Sequence, residues 1–161
     1  IHLEPLGIFS NKHQSLDELP DGGTIGIISD TSNQSRALQL LATQGLVSIP
    51  EGDGDVNINT VTKLKNFDFR EVEGPQLVRS LDDFDYAVIN GNFAQEGGKS
   101  ISSDALVVES PVDNPAVNVL VWKDGSNKAE AIAKLEELLH SPEVKQYIEQ
   151  TWPDGSVIPA F

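Results

Sequence analysis

The chain has 161 residues, 39% of them hydrophobic, which suits one domain or two small lobes around a buried core. Its formal net charge of -14 repels phosphate backbones and anionic headgroups, so nucleic acid is not an expected partner. Because the chain has no cysteine, disulfides, thiolate nucleophiles and cysteine-bound metals are excluded.

The first third of the chain predicts an extended segment, a strand and a helix. Ile1–Phe9 is apolar and extended, and Ser15–Glu18 has the spacing of a capping box. Thr24–Ile28 has the composition of a buried strand, and Ser29–Ser32 then offers several N-cap residues. Gly45 is suited to end the helix. The expected buried side of that helix is Ala37, Leu38, Leu40 and Leu41.

The middle of the chain continues the alternation. Pro50–Asp55 predicts a loop and Asn59–Leu64 a short helix. Phe67–Val72 alternates apolar and polar residues like a strand, Pro75–Asp82 suits a helix with proline in its first turn, and Tyr86–Ile89 predicts another strand.

The last third predicts short strands followed by two helices. Leu106–Val108 is short and β-rich, and Val117–Trp122 predicts a buried strand. Ala129–Leu139 has a helical apolar period, and Ser141 is the expected cap of a last helix. The apolar runs are too short to span a bilayer. This alternation predicts an α/β domain with a largely parallel sheet.

Catalytic and metal-binding motifs are not found in the sequence. The three histidines have no nucleophile at motif spacing, and no phosphate-binding loop occurs. Asp82, Asp83 and Asp85 lack the spacing of a calcium loop, so they are interpreted as a solvated acidic face. We therefore expect no enzyme activity, no cofactor and no metal.

A binding site is predicted where strands end. Helix N-termini present free N–H groups with partial positive charge, and the side chain of Arg36 leans back toward such an end. The guanidinium of Arg36 is thus a candidate for binding a carboxylate. The alternative is that Asp30 or Ser32 only caps the helix and Arg36 is a surface residue.

Asparagines supply the remaining candidates. Asn90 and Asn92 follow a predicted strand, where amides could bind an ammonium group or simply form a turn. Asn118 interrupts an apolar run and needs a polar partner, which is backbone, water or ligand.

Several sequence segments occur in an order that resembles the NlpA-type lipoproteins, the methionine-binding components of ABC importers. The resemblance covers essentially the whole chain. The segments that carry it are Glu4–Ser10, Ser15–Leu19, Pro75–Leu77, Arg79–Asp83, Ala87–Asn92 and Val157–Phe161.

This resemblance implies a type II periplasmic-binding-protein-like fold, in which two α/β lobes close over one ligand. Residues 1–9 would be a crossing segment and residues 10–115 the second lobe. Residues 116–161 would form a return crossing strand and the C-terminal helices of the first lobe. The N-terminal half of the first lobe, the signal peptide and the lipobox have no counterpart in this sequence.

The resemblance also implies roles for the candidate residues. Asn33 and Arg36 match a family turn in which arginine binds the ligand carboxylate, although the family's proline is Thr31 here. Asn90 and Asn118 match asparagines that contact the amino acid, and Asn92 matches the same motif as Asn90. The tyrosine that precedes the second asparagine in the family is absent.

The resemblance implies an extracytoplasmic protein, anchored by lipid at full length, that delivers an amino acid such as methionine to an ABC permease. One cation and several amides suit a zwitterion better than a metal ion. The alternative is a non-binding or degenerate surface domain of the same fold. Self-association is expected for the 161-residue chain alone.

Overall fold

The computed structural model describes residues 1–52 and 56–161. Part of the loop predicted over Pro50–Asp55 therefore lies outside the described residues. The nine strands within them are β1 (His2–Leu3), β2 (Leu6–Phe9), β3 (Gly23–Ile28), β4 (Val47–Ser48), β5 (Thr62–Lys63), β6 (Phe67–Val72), β7 (Tyr86–Asn90), β8 (Ala105–Val108) and β9 (Ile158–Pro159). The α-helices are α1 (Thr31–Thr43), α2 (Gly74–Arg79), α3 (Gly91–Glu96), α4 (Ala129–Leu139) and α5 (Pro142–Thr151).

A five-stranded sheet in the order β6-β3-β7-β2-β8 forms the centre of the fold. The predicted parallel pairing of the two central strands is confirmed, since Ile25 lies opposite Tyr86 and Gly26 opposite Ala87. The sheet is mixed, however, because β2 runs antiparallel to both β7 and β8. The expectation of a largely parallel sheet is thus correct only for β6, β3 and β7.

Helices cover both faces of this sheet, which explains why its central strands, β3, β7 and β2, are apolar on both sides. Ile25 and Ile27 face α1, where they pack with Leu38 and Leu41. The opposite face belongs to α2 and α3. Its buried residues are Phe9, Ile28, Leu77, Leu81, Phe84, Ala87, Ile89, Ala94 and Ile101.

The ends of α1 follow the predicted signals. Asp30 is the N-cap, and its side chain accepts a hydrogen bond from the backbone N–H of Asn33. At the other end Gly45 has a φ of 69°, and the N–H of Leu46 donates to the carbonyl of Leu41 at 3.1 Å. This is the hydrogen bonding expected where a helix ends at a left-handed glycine.

Two predicted elements are wrong. Asn59–Leu64 is a turn followed by β5 rather than a helix, because β5 pairs with β4 beside the end of α1. Val117–Trp122 is not a buried strand, since only Asn118 pairs, in a single bridge with His2. Val121 is 79% exposed and Trp122 is 52% exposed. The described residues leave most of this run exposed and bury only Val117 and Leu120 in part, so its apolar character alone did not make it a strand.

The C-terminal part packs loosely against the rest. No residue of α4 is buried, and Ile148 alone is buried in α5. Ser141 caps α5 as predicted, accepting from the N–H of Val144. After α5 the chain returns to the N-terminal segment, where β9 pairs with β1. None of the helices in residues 1–52 and 56–161 is long and apolar enough to cross a membrane.

Candidate functional site

The first side of the site is the N-terminus of α1. The Asp30 carboxylate accepts from both the backbone N–H and the side-chain amide of Asn33, at 2.8 and 2.9 Å. Asp30 is therefore the helix cap that the sequence allowed, and it also fixes the side chain of Asn33. The Asn33 carbonyl oxygen is left to accept from a neighbouring strand.

Asn90 supplies the neighbouring group. It is the last residue of β7, and its Nδ2 donates to Oδ1 of Asn33 at 3.1 Å. Asn33 and Asn90, two of the predicted residues, are thus brought into contact at the carboxyl ends of parallel strands. Among the described residues, the buried Oδ1 of Asn90 has no hydrogen-bond partner. Unsatisfied buried acceptors are rare, so this oxygen is available to a donor outside the chain, either a water molecule or a ligand.

Arg36 lies one turn further along α1 and is already paired. Its Nε donates to both carboxylate oxygens of Glu109, at 2.8 and 3.1 Å, and Nη2 forms a close ion pair with Oε2. Nη2 also donates to the backbone carbonyl of Glu4 at 2.7 Å. Arg36 is therefore not an unattached surface residue, since both side chains of the ion pair are only 14% exposed.

Glu109 was not predicted as a site residue. It directly follows β8, and its backbone N–H donates to the carbonyl of Leu6 at 2.8 Å. The Leu6 N–H donates in return to Oε2 of Glu109 at 3.1 Å. Leu6 is the first residue of β2 and also lies opposite Asn90. It therefore connects the Arg36–Glu109 ion pair with the Asn33–Asn90 pair. The available signal was a carboxylate at a strand end, the same criterion that selected Asn90.

The two other predicted residues lie apart from these contacts. Asn118 is bridged to His2 through its backbone, and its side chain is exposed. Asn92 lies in the first turn of α3, with its Oδ1 buried and without a partner among the described residues. Convergence of Asn118 with Arg36 and Asn90 stays a prediction.

An open groove of about 1050 Å³ runs beside the Arg36–Glu109 ion pair. One wall is α1, including Ser32 and Ser35, and the other is the segment that includes Asn114 and Ala116. The groove thus gives solvent and small molecules access to the guanidinium. Within residues 1–52 and 56–161, no three acidic or histidine side chains are grouped to hold a metal ion.

The opposite end of the sheet has a structural cluster around Asp85. Its carboxylate accepts from the N–H of Thr24 at 2.7 Å and contacts Nε2 of His13 at 3.0 Å. Burial raises the pKa of Asp85, but the hydrogen bonds of His13 and Thr24 outweigh it, so the pKa lies below its ordinary value. Burial and nearby carboxylates raise the pKa of Tyr86 to about 12. Asp85 therefore joins β3 to β7, as a structural group.

Comparison with solved structures supports the fold. The chain superposes on a lipoprotein from Actinomyces odontolyticus with a TM-score of 0.90 and 89% identity, over 100% of this chain and 66% of that one. A nutrient binding protein from Burkholderia cenocepacia, solved bound to methionine, gives a TM-score of 0.81 at 29% identity, over 99% of this chain and 68% of that one. The predicted periplasmic-binding-protein-like α/β fold is confirmed.

Sequence comparison identifies the family. The methionine-binding lipoprotein MetQ of Bacillus subtilis is 33% identical over 99% of this chain and 60% of its own length. The chain thus spans about 60% of the length of that curated relative. Relatives named for binding rather than for catalysis agree with the expectation that the chain is not an enzyme. The family model for NlpA lipoproteins matches residues 1–161, and the chain belongs to the NlpA lipoprotein family.

Proposed function

We propose that the protein is an extracytoplasmic, lipid-anchored solute-binding protein that delivers an amino acid, methionine or a close analogue, to an ABC permease. The observation that carries this proposal is the pairing of Asn33 with Asn90 beside Arg36 at one end of the sheet. Ligands of open α/β folds bind outside the carboxyl ends of strands. A guanidinium and amide oxygens together suit a zwitterion.

Each group has a complementary part of an amino acid. Arg36 offers charged N–H donors to the carboxylate, and the unpartnered Oδ1 of Asn90 offers an acceptor to the ammonium. Asn118 and Asn92 are further candidates for the polar end of the ligand. The bound methionine of the Burkholderia protein supports this choice of ligand class.

One observation favours a second candidate function. Glu109 already neutralises the charge of Arg36 within the protein. A ligand carboxylate is therefore not needed to balance that charge. A degenerate surface domain that binds no amino acid is the alternative consistent with this pairing.

Titration calorimetry on the protein at its natural length separates the two functions. The panel contains L- and D-methionine, other amino acids and methionine dipeptides. The solute-binding function predicts saturable binding of at least one of these compounds. Amino acids whose side chains differ in size or polarity from that of the best ligand should bind more weakly. Absence of heat for every compound, with a folded protein, would establish the non-binding alternative.

A further inference from the structure

The guanidinium of Arg36 has five N–H donors, and the protein uses them unevenly. Glu109 accepts from Nε and from Nη2, and the carbonyl of Glu4 accepts from Nη2. These contacts use the single donor of Nε and both donors of Nη2. Among the described residues, no hydrogen bond is formed by Nη1. Two donors on one nitrogen therefore remain for a molecule in the groove that Arg36 lines.

Glu109 is held in place independently of Arg36. Its backbone pairs with Leu6, and its Oε2 accepts the N–H of Leu6 at 3.1 Å. A ligand carboxylate that displaced Glu109 would leave a largely buried carboxylate without its cation, which is strongly unfavourable. The geometry thus opposes exchange of one carboxylate for the other, and favours a fixed ion pair that stays in place when a ligand binds.

We propose that Glu109 is a positioning residue, which holds the guanidinium by its Nε–Nη2 edge and presents Nη1 to the carboxylate of the amino acid. The ligand carboxylate is then bound end-on by one nitrogen rather than by the fork of the guanidinium. The proposal rests on the proposed amino-acid binding function. It assigns the recognition of a free carboxylate to the pair Arg36–Glu109 rather than to Arg36 alone.

The test compares methionine with methioninamide, which lacks the carboxylate, by calorimetry on the protein at its natural length. In Glu109→Ala, we expect methionine affinity to fall roughly ten-fold or more, as for loss of a charged hydrogen bond. Methioninamide affinity should change by less than about three-fold, because it does not use this contact. The preference of the protein for methionine over methioninamide, expressed as the ratio of the two affinities, should therefore decrease. Glu149→Ala, which removes an exposed carboxylate from α5, is the matched control and should leave the ratio unchanged.

A conservative variant covers the case in which Glu109→Ala does not fold. Glu109→Gln keeps the side-chain size and one acceptor oxygen. Its ratio of methionine affinity to methioninamide affinity should therefore lie between those of Glu109→Ala and the wild type. A second measurement requires no variant of Glu109, namely the exchange rate of the Arg36 Nε–H by NMR. The ion pair predicts slower exchange for Arg36 than for the exposed Arg70 and Arg79.

The outcomes separate this proposal from the function on which it rests. An unchanged ratio in folded Glu109→Ala, or tighter methionine binding, overturns the positioning role while the binding function stands. An Arg36 Nε–H that exchanges as fast as those of Arg70 and Arg79 overturns it as well. A wild-type protein that binds no amino acid overturns the proposed function and the positioning role together.

Discussion

Arg36 has the largest predicted effect of any single residue on ligand binding. Its charge is largely shielded from water at 14% exposure, so its hydrogen bonds are less weakened by solvent. In the protein at its natural length, Arg36→Ala should weaken methionine binding by about 2–4 kcal/mol, a value for removal of one partner from a buried charged pair. Calorimetry measures the change, with the exposed Arg79→Ala as control. Wild-type affinity in Arg36→Ala would contradict the carboxylate role.

Asp85 predicts a pH dependence of folding stability. Its pKa is lowered in the folded protein, so the ionised carboxylate is favoured by folding. This contribution is complete above the ordinary titration range near pH 4 and is lost as pH falls through the folded pKa. We expect Asp85→Asn to lower the free energy of unfolding by about 1–3 kcal/mol at neutral pH.

Urea denaturation at pH 7 and pH 3 provides the measurement. The difference between wild type and Asp85→Asn should shrink at the lower pH. The carboxyl of the unfolded wild-type chain is then largely protonated, so folding has to release that proton and part of the stabilisation is lost. Asp83→Asn, at an exposed position two residues away, is the matched control. A difference that stays the same at both pH values would show that the charge of Asp85 does not stabilise the fold.

At the level of residues, the sequence identifies groups near helix and strand ends, but it does not identify their partners. Asn33, Arg36 and Asn90 were all predicted as candidates, and the contact between Asn33 and Asn90 follows from their positions at strand ends. Glu109 was missed because its pairing with Arg36 joins residues 73 positions apart. Such a contact depends on the order of strands in the sheet, which the local pattern does not contain.

The junction of β7 and α3 depends on Gly91. A Cβ at this position would lie 2.7 Å from the carbonyl oxygen of Ser156 and 3.1 Å from that of Pro5. Backbone oxygens cannot rotate away, so Gly91→Ala should cost about 3 kcal/mol of stability, the upper part of the range for overpacking. It should also weaken ligand binding, because Asn90 directly precedes the junction.

Gly98→Ala is the control for this prediction. A Cβ there meets nothing within 4 Å, and its cost comes from a φ of 78°. We expect Gly98→Ala to lower the free energy of unfolding by about 1 kcal/mol, because alanine is strained in that left-handed backbone conformation. Thermal unfolding followed by circular dichroism compares the two variants. An equal loss in both would mean that the contacts of Gly91 with Ser156 and Pro5 are readily relieved.

Elements with strong local signals were predicted well. The apolar strands around Ile25 and Val88, and the caps at Asp30 and Ser141, form as expected. Two errors occurred where tertiary pairing decides the structure. Asn59–Leu64 pairs partly with β4. Among the described residues, Val117–Trp122 has a single bridge, from Asn118 to His2, and most of the run is exposed.

For the whole molecule, the division into a crossing segment, a second lobe and a return to the first lobe stays a prediction. It has a consequence for the 161-residue chain alone. If two lobes enclose the ligand, this chain supplies only one wall of the site, so water in the open groove competes with the ligand for Nη1 of Arg36. We expect it to bind methionine with a Kd of roughly 1 mM or weaker, about -4 kcal/mol. Micromolar binding by calorimetry would mean that residues 1–161 form a complete site.

The same chain should self-associate. Val119, Val121 and Trp122 are exposed, as are Leu135 and Leu138 of α4. Exposed apolar surface of this kind favours association in water. Light scattering over a range of concentrations should show an apparent mass that rises with concentration, and Leu135→Glu with Leu138→Glu should reduce the rise. A monomer at every concentration would contradict this expectation.

The most direct test of the central claim is a crystal structure of the protein at its natural length, grown with methionine. We predict a methionine carboxylate within hydrogen-bond distance of Nη1 of Arg36, with the Arg36–Glu109 ion pair intact. The ammonium should lie within hydrogen-bond distance of Oδ1 of Asn90. Methionine bound elsewhere, or bound without contact to Arg36, would contradict the account.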